Sequence, residues 1–124
     1  MDTTITSVID RYLDAYGEAD ADRRRRLIAE SFAADATLAD PPLDAAGHDG
    51  LSDMFAAVQA QFPDHTFART SNVDEHHGAA RYEWSLTAPD GTTAVAGTDF
   101  VRFGADNKLV GVVGFFGPTP QLER

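Results

Sequence analysis

The hydrophobic period of this chain changes partway along it, and that change constrains the fold more than any motif does. In the first half, Ile5, Val8, Ile9, Tyr12, Leu13 and Tyr16 recur at three- and four-residue intervals, which is the stripe of an amphipathic helix. In the second half, Tyr82, Trp84 and Leu86 alternate with Arg81, Glu83 and Ser85, which is the two-residue period of a strand with one covered face. A chain that starts helical and ends in hairpins is expected to be α+β, with helices packed on one face of a curved, mostly antiparallel sheet.

The elements follow from local signals. A first helix is predicted over about Thr3 to Ala19, capped by Thr3 or Thr4 and weakened at Gly17. A second runs from about Asp22 to Phe32, with Asp20 or Asp22 as its cap. Ala36 to Asp40 reads as a short strand stopped by Pro41-Pro42, because proline biases the residue before it toward extended geometry. A loop containing Asp44, Gly47 and Gly50 leads to a third helix, about Leu51 to Phe62. Its apolar stripe is Met54, Phe55, Val58 and Phe62, and Pro63 closes it.

Four strands are then expected: Thr66 to Asp74, Ala79 to Thr87, Thr92 to Phe103 and Leu109 to Phe116. Pro89-Asp90-Gly91 and Ala105 to Lys108 supply the later turns, and Pro118 to Arg124 reads as a tail. With 124 residues and no linker or repeat, the chain is expected to be one domain, large enough to bury a core without a disulfide or metal.

Charge excludes several function classes. The chain has 20 acidic and 10 basic side chains, a net charge of -10, so it repels phosphate backbones and carries no general nucleic-acid footprint. The only basic run, Arg23 to Arg26, reads as a solvated helix face paired locally by Asp20, Asp22 and Glu30. No apolar run approaches the roughly 18 residues of a membrane span, and Met1 to Thr4 has no signal-peptide character. Cysteine is absent, which removes thiol chemistry and suits a reducing cytoplasm. The four histidines form no close metal-ligand spacing, and no glycine-rich phosphate loop follows a strand. Neither metal nor cofactor is therefore expected.

Several segments carry a resemblance. Phe32 to Pro41 is an aromatic residue, a loop ending in Asp35-Ala36, a short strand and Asp40-Pro41, and it resembles the segment around the first strand of ketosteroid isomerases and SnoaL-like polyketide cyclases. Gly47-His48-Asp49-Gly50-Leu51 resembles the start of their third helix. Thr98 to Phe103, with Asp106 to Leu109, resembles their penultimate strand and turn. With the element order, the resemblance covers nearly the whole chain and implies the NTF2-like superfamily, a cone of three N-terminal helices against a bent sheet. The superfamily hosts many activities on one fold, so the fold alone names no reaction.

The resemblance also implies roles. The aspartate matching Asp40 is the general base of the isomerases, acting on a carbon beside a carbonyl. From the sequence alone, Asp40 is equally a turn starter whose carboxylate accepts backbone N–H bonds. Asp99 shares a strand face with Val95, Gly97, Val101 and Phe103, an apolar setting in which a carboxyl tends to stay protonated. In the isomerases the matching acid is a neutral donor beside a tyrosine, a case used widely to illustrate such tuning. Pairing with an arginine or a helix N-terminus is the other reading of Asp99. Arg11-Tyr12-Leu13 resembles the surroundings of the isomerase tyrosine, while the interval to Asp40 fits Tyr16; both sit on one helix face, and the choice stays open.

Phe55, Tyr82, Trp84 and Phe116 are candidates to wall a largely apolar cavity, with His65 at its mouth; core packing is the alternative for each aromatic. Two functions compete. One is cofactor-free proton transfer on a small hydrophobic molecule, as in an isomerase or cyclase, with enolate stabilisation by tyrosine and a neutral acid. The other is a non-catalytic ligand-binding or dimerisation domain. Epoxide hydrolases of the same superfamily use an Asp–Arg–Asp set, for which Arg69, Arg81 and Arg102 are available. A homodimer through the sheet is expected because Val110, Val112, Val113, Phe115 and Phe116 make the last strand apolar on both sides.

Overall fold

A computed structural model describes residues 2–123. Helix α1 spans Ile5–Tyr16 and buries Ile5, Val8, Ile9, Tyr12, Leu13 and Tyr16, the stripe given by the sequence period. Thr4 is its cap: the Ser7 N–H donates to the Thr4 hydroxyl oxygen at 3.3 Å. Helix α2, Ala21–Ser31, is capped in the same way by Asp20, which accepts from the Asp22 N–H.

The arginine run departs from the expected solvated face. Arg24 is buried; its guanidinium donates to the Ser52 hydroxyl and to the Glu18 and Ala19 carbonyls just beyond the end of α1. Those carbonyls follow the negative end of the helix dipole, so the buried cation is satisfied without a carboxylate. Arg23 pairs with Glu18 and Arg25 with Asp49, rather than with Asp20, Asp22 or Glu30.

Strand β1 is Phe32–Asp40, longer than the segment from Ala36 that alternation suggested, and the expected loop after Pro42 forms strand β2, Leu43–Ala46. The two pair antiparallel, Thr37 opposite Ala46. Helix α3 then begins four residues early, at Gly47, and runs to Gln61. Two strands thus separate α2 from α3, so the helices are not consecutive at the N-terminus.

The segment expected as one strand from Thr66 breaks in two. Strand β3 is Thr66–Arg69 and strand β4 is Asp74–His76; both pair with strand β5, Ala79–Thr87. The last strands, β6 at Thr93–Phe103 and β7 at Leu109–Phe116, lie close to their predicted limits. His77, Gly78 and Asn107 take positive φ in the turns.

The sheet has seven strands in the order β2-β1-β7-β6-β5-β3, with β4 also on β5. Every pairing is antiparallel except β1 with β7, which is parallel. That one parallel pairing brings the first and last strands together at the centre of the sheet. The helices cover one face, and the core between the layers includes Tyr12, Phe32, Phe55, Leu38, Leu109 and Val112. No helix among the described residues is long and apolar enough to cross a membrane.

Candidate active site

Strand β7 explains why two distant acids meet. Its parallel register with β1 sets Leu38 beside Val112 and Ala39 beside Val113, so Asp40 falls next to Gly114. Its antiparallel register with β6 sets Asp99 opposite the same Gly114. Ala36, Leu38 and Asp40 alternate into the core from β1, as Gly97, Asp99 and Val101 do from β6. Both carboxylates therefore enter the core over one residue that has no side chain. A Cβ built on Gly114 would lie 1.8 Å from Asp40 Oδ1 and 2.9 Å from Asp99 Oδ1.

Burial is nearly complete, at 5% exposure for Asp40 and 1% for Asp99. The Tyr16 hydroxyl donates to Asp40 Oδ2 at 2.9 Å, while Asp40 Oδ1 has no hydrogen-bond partner. Asp99 accepts twice: from the Tyr82 hydroxyl at Oδ2 (2.7 Å) and from the Trp84 indole N–H at Oδ1 (2.9 Å). Trp84 reaches this position because Gly97, opposite it, lacks a Cβ that would sit 2.7 Å from the indole.

The electrostatics follow from this packing. Burial pushes the Asp99 carboxyl up to about 7; the charge of Asp40 adds to this, and the hydrogen bonds from Tyr82 and Trp84 oppose it. Burial also raises Asp40, against the Tyr16 hydrogen bond that favours its ionised form. Burial and the two carboxylates raise Tyr12, Tyr16 and Tyr82, so these phenols remain protonated donors.

Tyr12 and Tyr16 thus divide between the two acids. Tyr16 holds Asp40, and Tyr12, 1% exposed, lies on the Asp99 side with its ring edge-on to Phe32. Tyr16 is stacked between Phe55 and Phe67, with ring centroids 4.3 and 4.2 Å away. Tyr82 and Trp84, read from sequence as wall aromatics, are the direct partners of Asp99. Phe116 stacks edge-on to Trp84 and is half exposed, and His65 contacts Phe62 and the Pro63 carbonyl rather than either acid.

The open cavity expected around Asp40 and Asp99 is closed in this structure, with aromatic rings packed over it. Surface cavities of about 480 and 330 Å³ lie elsewhere, one beside Ile5, Val73 and Phe103 and one beside Leu13, Asp14 and Arg69. The Asp–Arg–Asp arrangement does not form: Arg69 pairs with Asp10, Arg81 pairs with Asp74, and Arg102 is exposed. Among the described residues, no three ligating side chains cluster to hold a metal.

A bent seven-stranded sheet carrying three helices is the NTF2-like fold. Within it, residues 9–112 match the SnoaL-like domain family, and the chain belongs to that family. It is similar to a candidate isomerase of the SnoaL-like family from Agrobacterium tumefaciens, with 31% identity and a TM-score of 0.84 over 91% of this chain and 97% of that one. A candidate SnoaL-like polyketide cyclase from Jannaschia sp. CCS1 shares the fold at 14% identity and a TM-score of 0.71, over 94% and 90% of the two chains. An NTF2-like protein from Exiguobacterium does so at 22% identity and a TM-score of 0.67, over 90% and 99%. No curated protein matches the chain.

Proposed function

We propose that this protein catalyses cofactor-free proton transfer at a carbon next to a carbonyl, on a small apolar substrate, with Asp40 as the general base. The observation that carries this reading is the buried Asp40 Oδ1, a carboxylate oxygen with no partner. An unpaired buried acceptor costs on the order of 1–3 kcal/mol, so a protein that keeps one has left room for a proton to arrive there. Tyr16 holds the other oxygen and orients the carboxylate. The raised proton affinity of Asp40 brings the base nearer to neutral operating conditions. The SnoaL-like relative from Agrobacterium, itself a candidate isomerase, supports the same class of chemistry.

The step is the transfer of a substrate C–H proton to Asp40 Oδ1, with the C–H electron pair moving into an enolate. The same proton, returned to a neighbouring carbon, gives isomerisation; attack of the enolate on a second carbonyl gives ring closure. Because Asp40 is 5% exposed, substrate contact requires the aromatic layer beside it to part.

The test is deuterium incorporation from D2O into a panel of small saturated and β,γ-unsaturated ketones, followed by NMR. Exchange above buffer is expected, falling by at least about 100-fold in Asp40→Asn, the low end of what general base catalysis contributes. No exchange above buffer, or an unchanged rate in the variant, overturns the base role. The closed packing over Asp40 favours a second reading, a domain that binds a ligand without turnover. Saturable ketone binding without exchange would identify it.

We also propose that the outward face of the sheet pairs with a second copy of the chain. Phe100, Val113 and Phe115 stand there at 46%, 47% and 56% exposure, whereas Val112, which the sequence reading grouped with them, faces the core. The surrounding outward positions on β5 and β6 include Arg81 and Arg102 but a single acid, Glu83, in a chain with 20 acids. These exposed apolar side chains are the surface that a second copy would cover. Light scattering at micromolar concentration is expected to give a dimer and Phe115→Glu a monomer; a monomeric wild type overturns the pairing.

A further inference from the structure

The aromatic layer over the two acids is not held equally along its edge. Phe55 is fully buried on the 15-residue helix α3 and packs against Tyr12, Tyr16 and Phe32; the Arg24–Ser52 bond of 3.1 Å ties that helix to α2. Tyr16 and Trp84 are held by their own hydrogen bonds to Asp40 and Asp99. Phe67 has neither restraint. It sits on β3, a four-residue strand at the edge of the sheet that pairs with β5 alone. Its ring centroid lies 4.2 Å from that of Tyr16 and 5.7 Å from that of Trp84, so one ring covers a hydrogen-bond partner of each acid.

Phe67 also borders open space. With Leu13, Ala68, Asp10, Asp14 and Arg69 it lines the surface cavity of about 330 Å³ between α1 and β3. Arg69, two residues along the same face of β3, donates to both carboxylate oxygens of Asp10 at 3.0 and 3.3 Å and so ties the strand to α1. Both members of this pair are partly exposed to solvent, and such pairs hold weakly. A ring on a short edge strand, behind a weak tie and beside a recess with room for it, is the part of the layer that moves most readily.

We infer that Phe67 is the gate of this site: its ring turns into the cavity between α1 and β3, and a small apolar molecule then enters past Tyr16 to Asp40. The gate deepens the proposed proton transfer, and its catalytic meaning rests on that reading. Closed, the ring keeps water from both carboxylates; open, it leaves Tyr16 and Trp84 as the inner walls. The Asp10–Arg69 pair is the latch, and the side chain at position 67 sets the size of molecule admitted. The competing route runs over the end of β7, past the half-exposed Phe116, which stacks on Trp84, the partner of Asp99.

The test needs neither substrate nor turnover. The nitroxide TEMPOL, a small neutral radical, speeds the NMR relaxation of any nucleus it approaches. The Tyr16 ring and Asp40 carboxyl signals are followed in ¹³C-labelled wild type, Phe67→Ala, Phe116→Ala and Asp10→Asn, with retained chemical-shift dispersion as the check on folding. Phe67→Ala is expected to raise the enhancement at both groups at least about threefold over wild type, because the layer then stays open there. Asp10→Asn is expected to give a smaller rise, and Phe116→Ala wild-type values. A lesser change in folded Phe67→Ala, or a larger rise in Phe116→Ala, overturns the gate. If Phe67→Ala does not fold, Asp10→Asn decides: its side chain lies outside the core, and wild-type values there overturn latch and gate together. The ketone exchange assay reports the base and this measurement reports the opening, so each fails without the other.

Discussion

Gly97→Ala is expected to destabilise the protein by about 3 kcal/mol, the upper part of the range for overpacking a filled interior. A Cβ at this position would lie 2.2 Å from the Phe115 carbonyl oxygen and 2.7 Å from the Trp84 ring. The first contact is backbone, so relief requires β6 and β7 to separate rather than a side chain to turn. With a urea dependence of about 1–3 kcal/mol per molar for a domain of this size, the unfolding midpoint should fall by about 1–3 M. Gly50→Ala provides the opposite sign. Gly50 lies inside α3, and its Cβ would meet only the Ala45 methyl at 3.9 Å. That substitution should stabilise by about 0.5–1 kcal/mol through the lost flexibility of the unfolded chain. Equal midpoints for wild type and Gly97→Ala would refute the close approach of the two strands.

The second large effect is a stability that falls as pH rises. Asp99 titrates near 3.9 in an unfolded chain and at about 7 in the fold. Between those values the folded state holds a proton that the unfolded state has lost. Unfolding stability therefore declines from about pH 4 to about pH 7 and then levels off. At 1.36 kcal/mol per unit, the fully buried group contributes on the order of 4 kcal/mol across that window. Asp40, raised by the same burial, acts in the same direction. Chemical denaturation at pH 5 and pH 8 is expected to give the higher midpoint at pH 5. Asp99→Asn should flatten the difference, because an amide stays neutral throughout; this comparison separates Asp99 from the general repulsion of a chain at -10. A wild type more stable at pH 8, or the same profile in the variant, would show that Asp99 is ionised in the fold.

The partners of Asp99 were partly legible in the sequence. The Pro89-Asp90-Gly91 turn marks the hairpin of β5 with β6; it closes Ala88 on Thr92, and beyond a one-residue shift Leu86 stands opposite Val95 and Tyr82 opposite Asp99. The hairpin is local, so its turn specifies which strands pair and narrows the register to within a residue. Tyr82 and Trp84 share a face two residues apart, and the observed register sets both aromatics beside Asp99. Their donor role was missed because an aromatic on an apolar face reads first as packing. The bulge between Leu86 and Thr87, which shifts the end of the hairpin, had no comparable signal.

The partnership of Asp40 with Asp99 had no local signal. Fifty-nine positions separate them in the sequence, and they meet through the parallel pairing of β1 with β7. A parallel crossover leaves no turn from which to count register. The early start of α3 and the strand β2 were hidden for a related reason. Leu43 to Ala46 becomes a strand by pairing with β1, and its own composition resembles a loop.

Periodicity and turn chemistry alone determined the class of fold, the face of α1 that is buried and the strand face shared by Asp99, while the choice between Tyr12 and Tyr16 stayed open. These are short-range properties, set by side chains a few residues apart along one helix or hairpin. Only the tertiary structure decided that Gly114 leaves room for two carboxylates, that Asp40 Oδ1 lacks a partner, that Arg24 is buried, and that aromatic rings close over the acids. Each of these depends on which distant strands and helices are neighbours and how closely their backbones approach, quantities that hydrophobic period along the chain does not encode.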